Sequence, residues 1–325
     1  MMSCGDSNFT WVIVNYRTAD LSIACLTSIY TGGSLRQSVI VVDNASADNS
    51  FETIQNMAID ENWLGCQLLE SESNGGYSAG NNIGINESTS EYVVLLNSDT
   101  VVHPNAIGLL VETLENNPQM GMASPRLEWP DGSAQESCFM FHRPISELIR
   151  SASSGPITKL LKRYEVPLMV LDEISYPEWT SFACVVIRRQ VFEDIGLLDE
   201  EFFMYFEDVD FCKRARGAGW KIIHNPAAHV IHLRGGSSPV KDQVHRKGRL
   251  PRYFYESRTR YYFKHFGHLG LLSANLFWHL GWLVSMGRKL INRNYQSKIC
   301  ENQCRDIWTN FFNPMAPYIH PDNYL

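Results

Sequence analysis

The front of this chain alternates short apolar runs with helical patterns, and that alternation constrains the fold more than any other feature of its 325 residues. Residues 11–16 (WVIVNY), 38–43 (SVIVVD), 67–70 and 92–97 (YVVLLN) are β-branched or leucine-rich and closed by polar residues. Runs of this kind read as strands buried on both faces. Between them, residues 19–30, 51–61 and 77–87 carry helical spacing. Strand–helix–strand crossovers predict an α/β fold around a mostly parallel sheet. Such sheets bind ligands beyond the carboxyl ends of their strands. The residues to examine are therefore Asn15, Tyr16 and Arg17, then Asp43, Asn44 and Ala45, then Asn97, Ser98 and Asp99.

The charge distribution narrows the ligand. Residues 1–136 hold 17 Asp/Glu and three Lys/Arg, whereas residues 137–325 hold 25 Lys/Arg and 18 Asp/Glu. An acidic front half argues against a nucleic-acid groove there. An anion bound there needs a metal or backbone N–H groups, since the first lysine is Lys159. Eight scattered cysteines without a CxxC pair predict free thiols in a reducing compartment. No basic segment followed by an apolar run opens the chain, so no signal peptide is expected.

Several groups could carry chemistry, and each has a plainer reading. Asp99 sits at the end of the strongest strand of the front half, where a carboxylate can hold Mg²⁺ or Mn²⁺ against a diphosphate; it could also cap the next turn. Asp43 could accept from a base or ribose, or close a turn. Residues 74–82 (NGGYSAGNN) open a helix with glycines that permit close backbone approach, as a tight turn also would. Glu207, Asp208 and Asp210 lie among Phe203, Tyr205, Phe206 and Phe211. Apolar surroundings raise a carboxyl pKa and suit a general base, while an acidic helix start is the structural alternative. Among His224, His229 and His232, only His232, at a strand end, is placed to add one metal ligand, because His229 and His232 face opposite sides of a strand.

These blocks, in this order over about residues 9–265, resemble family 2 glycosyltransferases of the GT-A fold, and among them the bacterial rhamnosyltransferase-like members that build surface polysaccharides such as O-antigen. The resemblance implies a GT-A fold with a mostly parallel central sheet, flanking helices and a C-terminal helical extension. It divides the chain into a domain over 9–240 and an extension over 241–325. Within the domain, 9–100 is the nucleotide half and 101–240 the catalytic half, with a mobile insert at about 135–177. It places Asn15, Arg17, Asp43, Asn74, Gly75, Asn81 and Asn97 around the nucleotide. Asp99 and His232 become metal ligands, with Asn97 standing where the family's motif has its first acid. Asp208 becomes the general base of an inverting transfer, and Asp210 orients its helix. Trp179, Glu207 and Arg258 fall on the acceptor side, and Phe182, standing where the family has glycine, is expected to make the sugar or acceptor pocket narrower or differently shaped. The implied donor is a nucleoside-diphosphate sugar, dTDP-L-rhamnose or another such as a UDP-sugar. The implied acceptor is a glycan or lipid-linked glycan. A non-catalytic assembly scaffold on the same fold is the alternative.

Residues 241–264 are basic and aromatic, and 266–287 contain no Lys, Arg, Asp or Glu. The uncharged stretch is long enough to span a bilayer, yet it holds two histidines, an asparagine and four glycines. Its basic flanks favour a helix lying on an anionic membrane surface, over packing in a core or oligomer interface and over spanning. The expected location is cytoplasmic, peripheral on the inner face of the plasma membrane.

Overall fold

The structure, a computed structural model, describes residues 8–32, 36–170, 172–234, 240–292 and 294–324. The chain divides into two compact units. Unit 1 takes residues 1–139, 169–200 and 208–237, and unit 2 takes 140–168, 201–207 and 238–325.

Unit 1 is built on an eight-stranded sheet. Its elements run β1 (Phe9–Asn15), α1 (Ala19–Gly32), β2 (Arg36–Asp43), α2 (Ser50–Asp60), β3 (Leu64–Glu70), α3 (Gly76–Glu87) and β4 (Tyr92–Asn97). β5 (Thr100–Val102), α4 (Ala106–Glu115), β6 (Met120–Glu128) and β7 (Cys138–Phe139) follow. The spatial order places β3, β2, β1 and β4 side by side, all parallel. This is the arrangement the strand–helix alternation predicts. β1 is buried at Thr10, Trp11, Val12 and Ile13, consistent with helices covering both faces. α1 buries Ser22, Cys25, Leu26, Ile29 and Tyr30, one stripe at helical spacing. Its apolar side chains join Trp11, Ile13, Val39, Val41 and Val94 in one core.

The far half of the sheet departs from the sequence reading. β5 is too short to leave a pattern. β6 contains Pro125, which argues against a strand. That proline is accommodated because it pairs with Asn225 where the register of the partner strand shifts. The partner strand, Lys221–His232, is bulged at that shift.

The helices α5 (Ser146–Ala152) and α6 (Gly155–Leu160) come next and belong to unit 2. The chain then returns to unit 1 with β8 (Trp179–Thr180), β9 (Cys184–Arg188) and α7 (Arg189–Ile195). α8 (Glu207–Gly217) and the bulged β10 (Lys221–His232) complete it, β9 lying antiparallel between β4 and β6.

Unit 2 contains α5, α6, α9 (Val240–Arg246), α10 (Arg252–Ile291) and α11 (Gln303–Asp306). α10 breaks at Gly267, whose φ of 66° lies in the left-handed region that a side chain resists. Residues 140–168 of the segment expected to be a mobile insert belong to this unit. Glu147 on α5 is buried and accepts from Arg150 (2.6 Å), from Arg258 (3.1 Å) and from the Tyr262 hydroxyl (3.0 Å). Burial alone would raise its pKa, but the two guanidinium groups outweigh it and hold the carboxyl down at about 2.

Candidate active site

The carboxyl ends of β1, β2 and β4 in unit 1 converge through side-chain hydrogen bonds. Asn15, fully buried, donates to Asp43 at 2.6 Å and to Ser46 at 3.2 Å, and accepts from Ser22 at 2.8 Å. Asp43 in turn accepts from the Ser46 N–H (2.9 Å) and hydroxyl (2.7 Å). The turn reading of Asp43 thus holds in this geometry, and Asn15 and Asp43 act first as a brace between two strand ends. Arg17 is tied to the same loop, its Nε donating to the Ser46 carbonyl at 2.9 Å. Arg17, Ala45 and Ala47 all adopt φ between 51° and 56°, a strained backbone that such cross-bracing must hold. Nothing in the sequence singles out Ser46. An open cleft of about 650 Å³ lies beside these loops, lined by Arg17, Thr18, Asp20, Asp48, Asn49 and Thr53 among others.

The Gly/Asn loop joins this edge by its first residues, and Tyr77 donates its hydroxyl to the Phe182 carbonyl at 2.6 Å. Asn44 donates to Asn74 (2.9 Å) and to the Gly76 carbonyl (3.0 Å). The Asn74 side chain also accepts from the Gly76 N–H. Gly75 packs tightly against Ala79, where a Cβ would come within 2.5 Å. Asn81 lies one turn into α3, buried, and donates to the Tyr77 carbonyl at 2.8 Å. Its role here is inside the helix.

β4 ends in Asn97, Ser98 and Asp99, and the last two are buried. The short β5 then pairs antiparallel with the end of β10, setting Thr100 opposite His232. That pairing brings the His232 Nε2 to 3.3 Å from the Asp99 carboxylate. A carboxylate and an imidazole at this separation can share one small cation, and the rest of its shell would come from ligand phosphates and water. Among the described residues no group of three His, Cys, Asp or Glu forms a closed metal cage. The other two histidines of that strand are engaged elsewhere, His224 with Ser124 (3.2 Å) and His229 with Glu128 (3.1 Å). Gly235, Gly236 and Ser237, which follow soon after in the sequence, lie outside the described residues.

Asp208 stands at the same sheet edge. The Asn97 N–H donates to the Ala183 carbonyl at 2.9 Å, and the adjacent Phe182 N–H points at the Asp208 carboxylate. The junction before β9 therefore links the end of β4 to the start of α8. Burial pushes the Asp208 carboxyl up to about 7, against the Val209 and Phe182 N–H groups, which favour its charged form. Tyr205 and Phe206, just ahead of it, have φ of 70° and 68°, a costly entry for bulky residues. Asp210 is committed to Arg214 at 2.8 Å, and Arg214 also donates to the Ile195 and Leu197 carbonyls. That places it as a helix-orienting acid.

Three acceptor-side expectations fare differently. Trp179 is buried and stacks on Phe139, centroids 4.1 Å apart. Glu207 and Arg258 belong to unit 2. Arg258 is only 1% exposed and is spent on Glu147, Asn275 and the Ile307 carbonyl. Phe182 is buried, its ring edge-on to Phe211 at 5.7 Å, and its carbonyl accepts from the Tyr77 hydroxyl at 2.6 Å.

One residue was missed. Arg234, just past β10, donates to the Glu136 carbonyl at 3.0 Å and lies over the Trp129 ring. Burial lowers its pKa, while the charges of Glu136 and Asp99 oppose that shift. A cation within the field of Asp99 is rare in this acidic unit, and its only signal in the sequence was position after a strand end.

The fold is that of the GT-A glycosyltransferases. Mannosyltransferase PcManGT from Pyrobaculum calidifontis, solved with GDP-Man and Mn²⁺, superposes with a TM-score of 0.55 at 15% identity, over 88% of this chain and 76% of that one. S. aureus TarS 1-349 in complex with UDP superposes with a TM-score of 0.51 at 14% identity, over 87% and 72%. Residues 10–140 match the family model for glycosyl transferase family 2, and the chain belongs to that family. An N-acetylglucosaminyl-diphospho-decaprenol L-rhamnosyltransferase of Mycobacterium tuberculosis is 26% identical over 275 residues, 79% of this chain and 84% of the relative. The low-salt glycan biosynthesis hexosyltransferase Agl10 of Haloferax volcanii is 31% identical over 226 residues, 68% of this chain and 66% of the relative.

Proposed function

We propose that this glycosyltransferase moves L-rhamnose from dTDP-rhamnose to a lipid-linked glycan at the cytoplasmic face of the membrane, with inversion at the anomeric carbon. The observation that carries the reading is the convergence on one sheet edge of the Asp99–His232 pair and the half-buried Asp208. The donor and acceptor rest on likeness to the mycobacterial relative, named for a rhamnosyl transfer to a decaprenyl-diphosphate-linked sugar. The described cysteines are all free, which suits a reducing compartment.

In this mechanism the ionised Asp208 accepts the proton of an acceptor hydroxyl. The freed oxygen attacks the anomeric carbon from the face opposite the nucleoside diphosphate. The new C–O bond forms as the bond to the diphosphate oxygen breaks, and no covalent enzyme intermediate arises. Asp99 and His232 would hold a divalent cation, Mg²⁺ or Mn²⁺, which when bound would neutralise charge on the departing diphosphate. Arg234 adds a fixed positive charge nearby. Arg17, Asp43, Asn74 and Asn97 frame the nucleotide.

Calorimetric titration of a nucleotide-sugar panel, with Mn²⁺ and with chelator, tests the reading. Metal-dependent binding of dTDP-rhamnose above UDP-sugars is the expected result, and Asp208→Asn should retain that binding while losing transfer. No binding by the folded protein across the panel would overturn the catalytic reading.

A further inference from the structure

The second half of α10 presents an inverted surface. Leu269, Leu276, Leu280, Leu283, Leu290 and Ile291 are 51% to 90% exposed. Their spacing puts them on one face of the helix, about 33 Å long at the usual rise. The opposite face, Leu271, Ala274, Asn275, Trp278, Gly281 and Ser285, is buried within unit 2. A soluble helix normally shows the reverse pattern on its outer side. From His265 to Gly287 no Lys, Arg, Asp or Glu interrupts the surface.

The surroundings say what covers it. Unit 2 holds 18 Lys/Arg against nine Asp/Glu, a formal charge of +9, while unit 1 carries −16. Arg288 donates to the carbonyls of Ala152 and Ser153, which sets the start of α6 beside the C-terminal end of α10. The α6 segment carries exposed Lys159, Lys162 and Arg163 together with Leu160, and Lys289 and Lys298 are exposed near the helix end. Apolar side chains along one helix face, with cations beside its C-terminal end, match the boundary between acyl chains and anionic headgroups.

We infer that the outer face of residues 269–291 docks unit 2 in the plane of an anionic lipid bilayer. The helix lies on the surface and does not span. Its inner face packs on α5, where Gly281 meets Ser151 and Leu148, and α5 carries the Glu147–Arg150–Arg258 network. Carrying those charges into the hydrocarbon would be prohibitive, so only the leucine face enters. The docking stands apart from the donor assignment.

Flotation with vesicles of phosphatidylglycerol and phosphatidylcholine, against phosphatidylcholine alone and with neither donor nor acceptor present, tests it on the full chain. The protein should float with the anionic vesicles at about 0.1 M salt and release as salt rises. The variant Leu276→Gln/Leu280→Gln/Leu283→Gln should partition at least roughly tenfold less, with unchanged circular dichroism and thermal unfolding. Lys289→Glu/Lys298→Glu should weaken binding to the anionic vesicles alone. Absence of flotation overturns the inference, as does flotation that the leucine variant leaves intact. A stable dimer that dissociates in the leucine variant, without vesicle binding, would assign the face to a second copy and overturn it equally.

Discussion

Asp208 is the second residue of α8, where the helix dipole favours a charged carboxylate, yet burial lifts its pKa from 3.8 to about 7. A base of that pKa is half ionised near neutral pH, so turnover should rise through about pH 7 and level off above it. A pH–rate profile checks this. Asp208→Asn should lower turnover at least roughly 10²-fold. The same shift has a stability sign. The folded state holds this proton more tightly than the unfolded state, so the group costs stability as pH rises from 3.8 through about 7. Asp208→Asn should therefore melt higher than the parent at pH 8 and close to it at pH 4, measured by thermal unfolding. Asp99 and His232 could each be picked out from the sequence as strand-end residues. Their 3.3 Å approach could not, because it depends on the three-residue β5 pairing with β10.

At the scale of elements, helix–sheet contact and a buried charge network set the tolerances. Gly80 and Gly84 on α3 face β1, and a Cβ at Gly84 would lie 2.4 Å from a Val12 methyl. Gly84→Ala should destabilise unit 1 by about 1–3 kcal/mol, and Val12→Ala in the same chain should recover part of the loss; urea unfolding measures both. In unit 2 the Glu147 carboxyl, held at about 2, stabilises above its ordinary value of 4.5, and the benefit fades as pH falls from there toward 2. Glu147→Gln leaves Arg258 buried without its counter-charge and should cost about 3–5 kcal/mol at pH 7, shrinking by pH 3. β1, β2 and β4 were legible because burial on both faces writes itself as continuous apolar runs, whereas the edge strand β3 buries none of its residues. β6 was not, since Pro125 is tolerated only where the β10 register shifts.

On the scale of the whole molecule, unit 2 is assembled from three stretches of chain, so the C-terminal extension is not separable. Truncation after residue 234 would remove Arg258 and Tyr262 from Glu147 and bare the face of α5 that α10 covers. That protein should be insoluble or aggregate, which size-exclusion chromatography would reveal. By itself the sequence determined the α/β class, the family, the acidic strand ends and the uncharged stretch with its basic flanks, because all of these are local patterns of polarity. The tertiary structure decided the 3.3 Å approach of Asp99 to His232, the packing of the Phe182 ring on Phe211, the burial of Arg258 against Glu147 and the outward leucine face of α10. Each of those depends on which distant segments pack together, and contacts between residues dozens to more than a hundred positions apart leave no periodicity to read.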